Sequence, residues 1–300
     1  MESQIQQNSP QAWLLAARPK TLAAAVTPVI IGSALAFYEH TFSFIPALCC
    51  LLFAMAMQIS ANLINDLFDY LKGADRADRL GPPRVTAQGW VSVRAIKIAI
   101  ILVIAAGCAA GLPLVYFGGW AMPAVAALCV LSAYCYSSGP YPLAYNGLGD
   151  AAVVIFFGVV PVGFTFYVQA QDWTWLVTLL GAATGLVVNT LLVLNNYRDR
   201  DTDRLSGKHT LIVLFGEGFG RYLYLLSGVA AVLLVWAASF KIGNYFIAAC
   251  LSLYLLPHII TWRKMIKIRE GSALNILLGE TSRNMLLFAL LLLLSLVYFK

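Results

Sequence analysis

Charge is scarce in this chain: of 300 residues only 11% are Asp, Glu, Lys or Arg, while 60% are hydrophobic. So little charge cannot clothe a soluble domain, and apolar stretches long enough to cross a bilayer recur along the sequence. The composition is that of a polytopic membrane protein with the lipid bilayer as its solvent. Cysteine offers no chemistry: Cys49, Cys50, Cys108, Cys129, Cys135 and Cys250 all lie within apolar runs and none pairs as CxxC. They read as small buried hydrophobes, which excludes a thiolate metal or redox centre. Histidine is equally thin, and the scatter of His40, His209 and His258 excludes a soft-metal site. The opening "MESQIQQNSP" has neither the basic start nor the small-residue cleavage site of a secretory signal, so the first apolar helix is expected to be retained.

Two phosphate-handling devices are also missing. "GKHT" at Gly207 to Thr210 is not a P-loop, because Thr202 stands where the first Gly is required and His209 follows the Lys. There is no D-x-x-D-G-x-x-A-R run of the kind used by membrane CDP-alcohol phosphotransferases.

What the chain does have is nine uncharged runs, near 21–38, 43–64, 98–117, 120–138, 151–168, 173–194, 222–240, 243–262 and 285–299. Helices are the open-ended elements that satisfy their backbone in lipid, so the expected fold is all-α: a bundle of nine transmembrane helices in one integral-membrane domain, 1–300. Of the twenty Lys and Arg, all but Lys241 and Lys300 precede the first run or join runs two and three, six and seven, or eight and nine. The positive-inside rule therefore places those segments and the N-terminus in the cytoplasm of a bacterial cell, in its inner membrane. The net charge of +6 is then a topology signal and implies no nucleic-acid partner. The sequence sets no oligomeric state.

Against this background, "NLINDLFDYLKGADRAD" puts Asp66, Asp69, Asp75 and Asp78 within thirteen residues at the end of an apolar run. "VLNNYRD", 130 residues after "LINDLFD", repeats its N-[D/N]-x-x-D pattern with Asn195, Asn196 and Asp199. The recurrence suggests two pseudo-equivalent halves, with the motif segments 65–97 and 195–221 facing each other on the cytoplasmic side. Gln58, Asn62, Asn65, Asp66 and Asp69 follow steps of three and four, which puts them on one helix face. Asn189, Asn196, Asp199 and Asp203 do the same on the later helix. Polar groups carried this far into membrane helices mark functional sites. Carboxylates and amides are hard oxygen donors of the kind Mg²⁺ takes while sharing its shell with substrate phosphates. Two Mg²⁺ ions between facing clusters would neutralise a diphosphate, with Lys72, Arg84, Arg198 and Lys208 available for its remaining oxygens. The candidate metal ligands are Asn65, Asp66, Asp69, Asn196, Asp199 and Asp203, with the four aspartates carrying catalysis. A cation-coupled transporter is the rival reading, but such carriers place ionisable groups near the bilayer midplane rather than at one face.

"NDLFDYLKGAD" and "NNYRDRDTD" resemble the two aspartate-rich motifs of the UbiA superfamily of intramembrane prenyltransferases, over most of the chain. "GPPRVTAQG", "YPLAYNGLGD" and "NNYRDRDTDRLSGKHTL" resemble the branch that prenylates 1,4-dihydroxy-2-naphthoate in menaquinone synthesis. Two positions depart from the wider pattern: Asp75 lies six residues beyond Asp69 rather than four, and Asn196 replaces an Asp. Tyr145 and Asn146 stand where the 4-hydroxybenzoate branch carries a Lys-Arg pair, which argues against that acceptor. The resemblance implies that a polyprenyl diphosphate loses diphosphate with Mg²⁺ help, and that the naphthoate ring attacks the allylic cation with loss of CO₂. Other aromatic acceptors, 4-hydroxybenzoate and homogentisate, stay open. Phe68, Tyr134, Tyr136 and Tyr141 are placed to shelter the cation. Asn62 and Arg84 are candidates for the acceptor, Arg84 serving either its carboxylate or the diphosphate.

Overall fold

The computed structural model describes residues 5–73 and 79–298. Among these there is no strand. Asp75 and Asp78 lie outside the described residues. The helices of eight or more residues are α1 (Pro10–Ala17), α2 (Ala23–Tyr38), α3 (Phe44–Leu71), α4 (Val93–Gly111), α5 (Ala121–Ser137), α6 (Gly149–Ala170), α7 (Trp175–Leu205), α8 (Leu211–Ile242), α9 (Tyr245–Ile268) and α10 (Ser272–Tyr298).

Seven of them, α3, α4 and α6 to α10, are long and apolar enough to cross a membrane. An eighth span results if α1 and α2, bent by 49° at a short break, count as one. The run near 120–138 forms α5, which is apolar but shorter. Helix ends follow local chemistry. Ser9, Ser92, Thr174 and Thr210 cap N-termini by accepting backbone N–H bonds from Ala12, Ala95, Val177 and Val213. The acidic segments are more helical than a count of uncharged residues suggests: α3 runs on through Asp69 and α7 through Asp203. Charge ends an apolar run, but at a polar boundary it does not end a helix.

The helices differ in what surrounds them. In the apolar window of α7, 72% of residues are buried, against 11% in α4. Helix α7 is thus the central post, packed by α2, α6, α8 and α10, and α4 lies at the periphery. Leucines and isoleucines such as Ile101, Leu102, Leu226, Leu233 and Leu290 project outward and would meet lipid. The α6–α7 contact is close because both sides are glycine. A methyl group on Gly185 would sit 2.4 Å from the carbonyl oxygen of Val154, and one on Gly158 2.5 Å from that of Gly181. Small residues let membrane helices approach to backbone contact, here along a π-helical turn at Ile155–Val159. Gly185→Val is expected to destabilise the protein by about 1–3 kcal/mol through overpacking, measurable as a lower thermal midpoint in detergent. An unchanged midpoint would show that α6 and α7 separate freely.

Candidate active site

The last turns of α3 carry Asn65, Asp66 and Asp69 toward different partners. Asp66 is 2% exposed and accepts the backbone N–H groups of Val85 and Thr86 at 3.3 and 3.1 Å, with Arg18 Nη2 at 3.6 Å. It therefore pins the "GPPRVTAQG" segment under α3. Asp69 is wholly buried. Its Oδ2 accepts from Arg84 Nη2 at 2.9 Å and Lys208 Nζ at 3.4 Å, and its Oδ1 from the Tyr145 hydroxyl at 3.0 Å. One carboxylate joins four segments of chain. Asn65 Nδ2 donates to Ser137 Oγ at 3.2 Å, and Lys72 Nζ to the Ser137 carbonyl at 2.8 Å. The ammonium groups of Lys72 and Lys208 lie 4.2 and 4.9 Å from the Tyr145 ring centre, within cation–π range. Partial removal from water lowers the pKa of Lys72 below the usual lysine value; Asp69 opposes this and Lys208 adds to it. A bound diphosphate would compensate this pair of cations.

On α7 the carboxylates of Asp199 and Asp203 face the open space beside the helix end. Asp199 accepts from Arg198 Nε at 2.7 Å and Nη2 at 2.5 Å, while Arg198 Nη1 donates to Asn275 Oδ1 at 2.7 Å. Asn275 Nδ2 reaches the carbonyl of Leu80 at 2.8 Å, so α10 links the segment after the first motif to the second. Asp203 lies 3.8 Å from Lys208 Nζ, which thereby stands between Asp69 and Asp203. Behind them, Glu217 follows the one non-helical residue inside α8, Gly216 at φ 89°. It accepts from Tyr197, Arg221 and Arg269, holding the helix face opposite Asp199.

These residues surround the mouth of a cavity of about 1310 Å³. Asn65, Asn196, Asp199, Asp203, Arg198 and Lys208 line its polar end; from there it passes Phe68, Tyr134 and Tyr136 and continues among apolar side chains to Leu112 and Met122. Phe68 and Tyr134 pack edge to face at 5.7 Å. Arg84 lines the same space from its ion pair with Asp69. Asn62 does too, but its amide donates to the Ala17 carbonyl and to Thr21 Oγ1, so it ties α3 to the break between α1 and α2. Tyr141 is 59% exposed and stands away from the cavity wall, as do the buried carboxylates of Asp66 and Asp69. The spacing of the motifs therefore brings Asn65, Asn196, Asp199 and Asp203 to one chamber and leaves Asp66 and Asp69 bracing it. Ser137 joins the site without a motif of its own, while Tyr145 belongs to "YPLAYNGLGD"; the connection that carries both, 137–150, is free of Lys and Arg.

The donor chemistry fits a divalent ion shared with a substrate. Among the described residues no three His, Cys, Asp or Glu side chains converge to hold a metal by themselves. Mg²⁺ is ordinarily held by one or two carboxylates, waters and substrate phosphates rather than by an all-protein cage. Two cavity-facing carboxylates with two amides beside them are such a partial shell. A model of the UbiA prenyltransferase family matches residues 25–277. The chain belongs to the UbiA prenyltransferase family. Within it, the chain is 38% identical to the 1,4-dihydroxy-2-naphthoate octaprenyltransferase of Escherichia coli (strain K12), over 69% of each chain. It is 38% identical to the enzyme so named from Mycobacterium tuberculosis (strain H37Rv), over 74% of this chain and 76% of that one. In fold, it is similar to a UbiA homologue from Archaeoglobus fulgidus bound to DMAPP and Mg²⁺, with a TM-score of 0.69 and 17% identity, over 95% of this chain and 98% of that one. The UbiA fold, then, is what brings two acidic helix ends to a single chamber here.

Proposed function

We propose that this UbiA-family protein transfers an isoprenoid chain from a polyprenyl diphosphate to 1,4-dihydroxy-2-naphthoate, releasing diphosphate and CO₂. The observation that carries the reading is the cavity, one continuous space with hard oxygen donors and cations at one end and aliphatic walls beyond. A molecule with a highly charged head and a long hydrocarbon tail fits it. The relatives named for octaprenyl transfer to this acceptor supply the acceptor's identity.

Asp199 and Asp203, with Asn65 and Asn196, would hold Mg²⁺, two ions being suited to a diphosphate; bound there, the metal supplies charge neutralisation for the leaving group. Lys208 and Lys72 bind diphosphate oxygens, and Arg198 holds Asp199 in place while offering its edge to the same chamber. Asp66 and Asp69 fix the geometry through Arg84, Lys208 and the 85–86 backbone, and enter the metal shell only by exchanging those partners. Phe68, Tyr134 and Tyr136 present aromatic surface where the allylic cation forms, and the dry walls keep water from capturing it. The chain forms a single domain with two pseudo-equivalent halves. Helix α5 crosses as a ninth span beside the bent α1–α2 pair, and both acidic helix ends and the N-terminus face the cytoplasm from a bacterial inner membrane.

The test is product formation by membranes containing the protein, supplied with 1,4-dihydroxy-2-naphthoate and geranylgeranyl diphosphate, in Mg²⁺ or in EDTA. Magnesium-dependent release of CO₂ together with a prenylated naphthoquinol, read as the quinone after oxidation by air, is expected; absence of both sinks the acceptor assignment. Replacing Mg²⁺ by Ca²⁺ is expected to slow turnover markedly, because the larger and looser Ca²⁺ shell misplaces the diphosphate. Equal rates with the two ions would remove the metal from the reaction.

A further inference from the structure

The mechanism above leaves one buried carboxylate unused. Asp150, in the first turn of α6, is 9% exposed and lines the cavity. Its Oδ1 accepts from Asn189 Nδ2 of α7 at 3.0 Å. Asn189 itself is 2% exposed, and its Oδ1 has no hydrogen-bond partner among the described residues. Asp150 thus brings a carboxylate to the cavity wall, held there by an amide whose own oxygen is buried behind it, and a carboxylate so placed asks for a ligand that donates. Asn189 lies two helical turns from Asn196, roughly 10 Å along α7 from the charged mouth. Tyr136 bridges the levels: it lines the cavity and lies within electrostatic reach of Asp150, Asp69 and Asp203. Around Asp150 itself, α7 presents the neutral Asn189, while the charged groups of that helix, Arg198, Asp199 and Asp203 among them, lie at its far end; Tyr136 comes from α5 and Tyr145 from the preceding turn.

The aromatic acceptor of the proposed reaction is a donor of this kind, since a phenolic hydroxyl stands next to its carboxylate-bearing carbon. Resting on that reading, we propose that Asp150, oriented by Asn189, is the general base that takes the proton of this hydroxyl. As the O–H bond breaks, its electron pair moves into the ring. The carboxylate-bearing carbon then bonds to the allylic carbon of the donor, whose C–O bond breaks with the pair leaving on diphosphate. The alkylated intermediate is a β-keto carboxylate. Its C–CO₂⁻ bond breaks, CO₂ departs, and the pair restores the aromatic ring as an oxyanion that recovers its proton from Asp150. Atoms, charge and electrons balance with no further reactant, and Asp150 ends as it began.

The experiment compares full-length wild type, Asp150→Asn and Asn189→Leu in lipid nanodiscs. It reads kcat/KM for 1,4-dihydroxy-2-naphthoate from mildly acidic to alkaline pH, and binding of geranylgeranyl diphosphate with Mg²⁺. Asp150→Asn is expected to lose about 10²- to 10⁴-fold at neutral pH, the range of a general base. The loss should shrink as pH rises and the acceptor hydroxyl ionises unaided, with donor binding within about twofold of wild type. Asn189→Leu removes a hydrogen bond to the charged form of Asp150, so the acid limb of its profile should move to higher pH. An Asp150→Asn profile parallel to wild type, or a loss equal at every pH with donor binding lost too, would overturn the proposal. If that variant does not fold, an unmoved acid limb in Asn189→Leu overturns it alone. Wild type that makes no prenylated naphthoquinol would overturn both this inference and the acceptor assignment, whereas an active wild type with an unimpaired Asp150→Asn overturns this one only.

Discussion

Asp199→Asn is expected to lower prenyl transfer by about a thousand-fold while the protein stays folded in the membrane. The side chain lines the cavity mouth and keeps 16% of its surface accessible, so replacing one oxygen by NH₂ costs little in packing. Its partner Arg198 retains the hydrogen bond to Asn275. What is lost is a full negative charge from the shell proposed to hold a divalent cation against a diphosphate. Metal stabilisation of transition-state charge is worth several kcal/mol, and every 1.36 kcal/mol is about tenfold in rate. Product formation per mole of membrane protein, with a thermal midpoint on the same sample, checks both halves. Wild-type turnover would remove Asp199 from the metal site, and a collapsed midpoint would make it structural.

Asp69→Ala is expected to behave the other way, with stability falling first and activity falling as a result. Asp69 is inaccessible to solvent and receives Arg84, Lys208 and Tyr145, which come from three other segments. Arg84 is itself buried, at 5% exposed. Removing one partner of a buried ion pair strands the other charge, at a cost of about 3–5 kcal/mol. Denaturation of the detergent-solubilised protein should show the drop before any substrate is added. If Asp69→Ala melts with wild type and is nonetheless inactive, the carboxylate is a metal ligand and not a brace. The contrast between the two aspartates matters because their motifs look alike in the sequence.

That likeness marks where reading the residues succeeds and where it stops. Apolar runs locate membrane helices well because the bilayer imposes one length scale on all of them, and the steps of three and four between Asn65, Asp66 and Asp69 or Asn196, Asp199 and Asp203 are fixed by helix geometry. Both signals are local, and both ended in the right element. The division of labour between the motifs is not local. Asp66 is held by backbone N–H groups of Val85 and Thr86, which any residue type but proline could supply, with Arg18 nearby. Asp69 meets Tyr145 and Lys208 across 76 and 139 residues of chain. Tyr145 is notable in the sequence only as a departure from a Lys-Arg pair, yet its ring lies beside two ammonium groups and its hydroxyl bonds the central carboxylate. Asp150 and Asn189 are 39 residues apart and become a pair only because glycines let α6 and α7 touch.

Asn275 has a consequence for the order of synthesis. It is the residue that grips Arg198 with one atom and the Leu80 carbonyl with another, and it stands at the start of the final helix. Translation delivers both acidic helix ends well before it delivers this clasp. A nascent chain halted between Asp203 and Asn275 would therefore hold every carboxylate proposed to bind metal in the membrane, without the brace that sets them against each other. The ribosome must complete the last span before the chamber can act on an isoprenoid diphosphate already dissolved in the same bilayer.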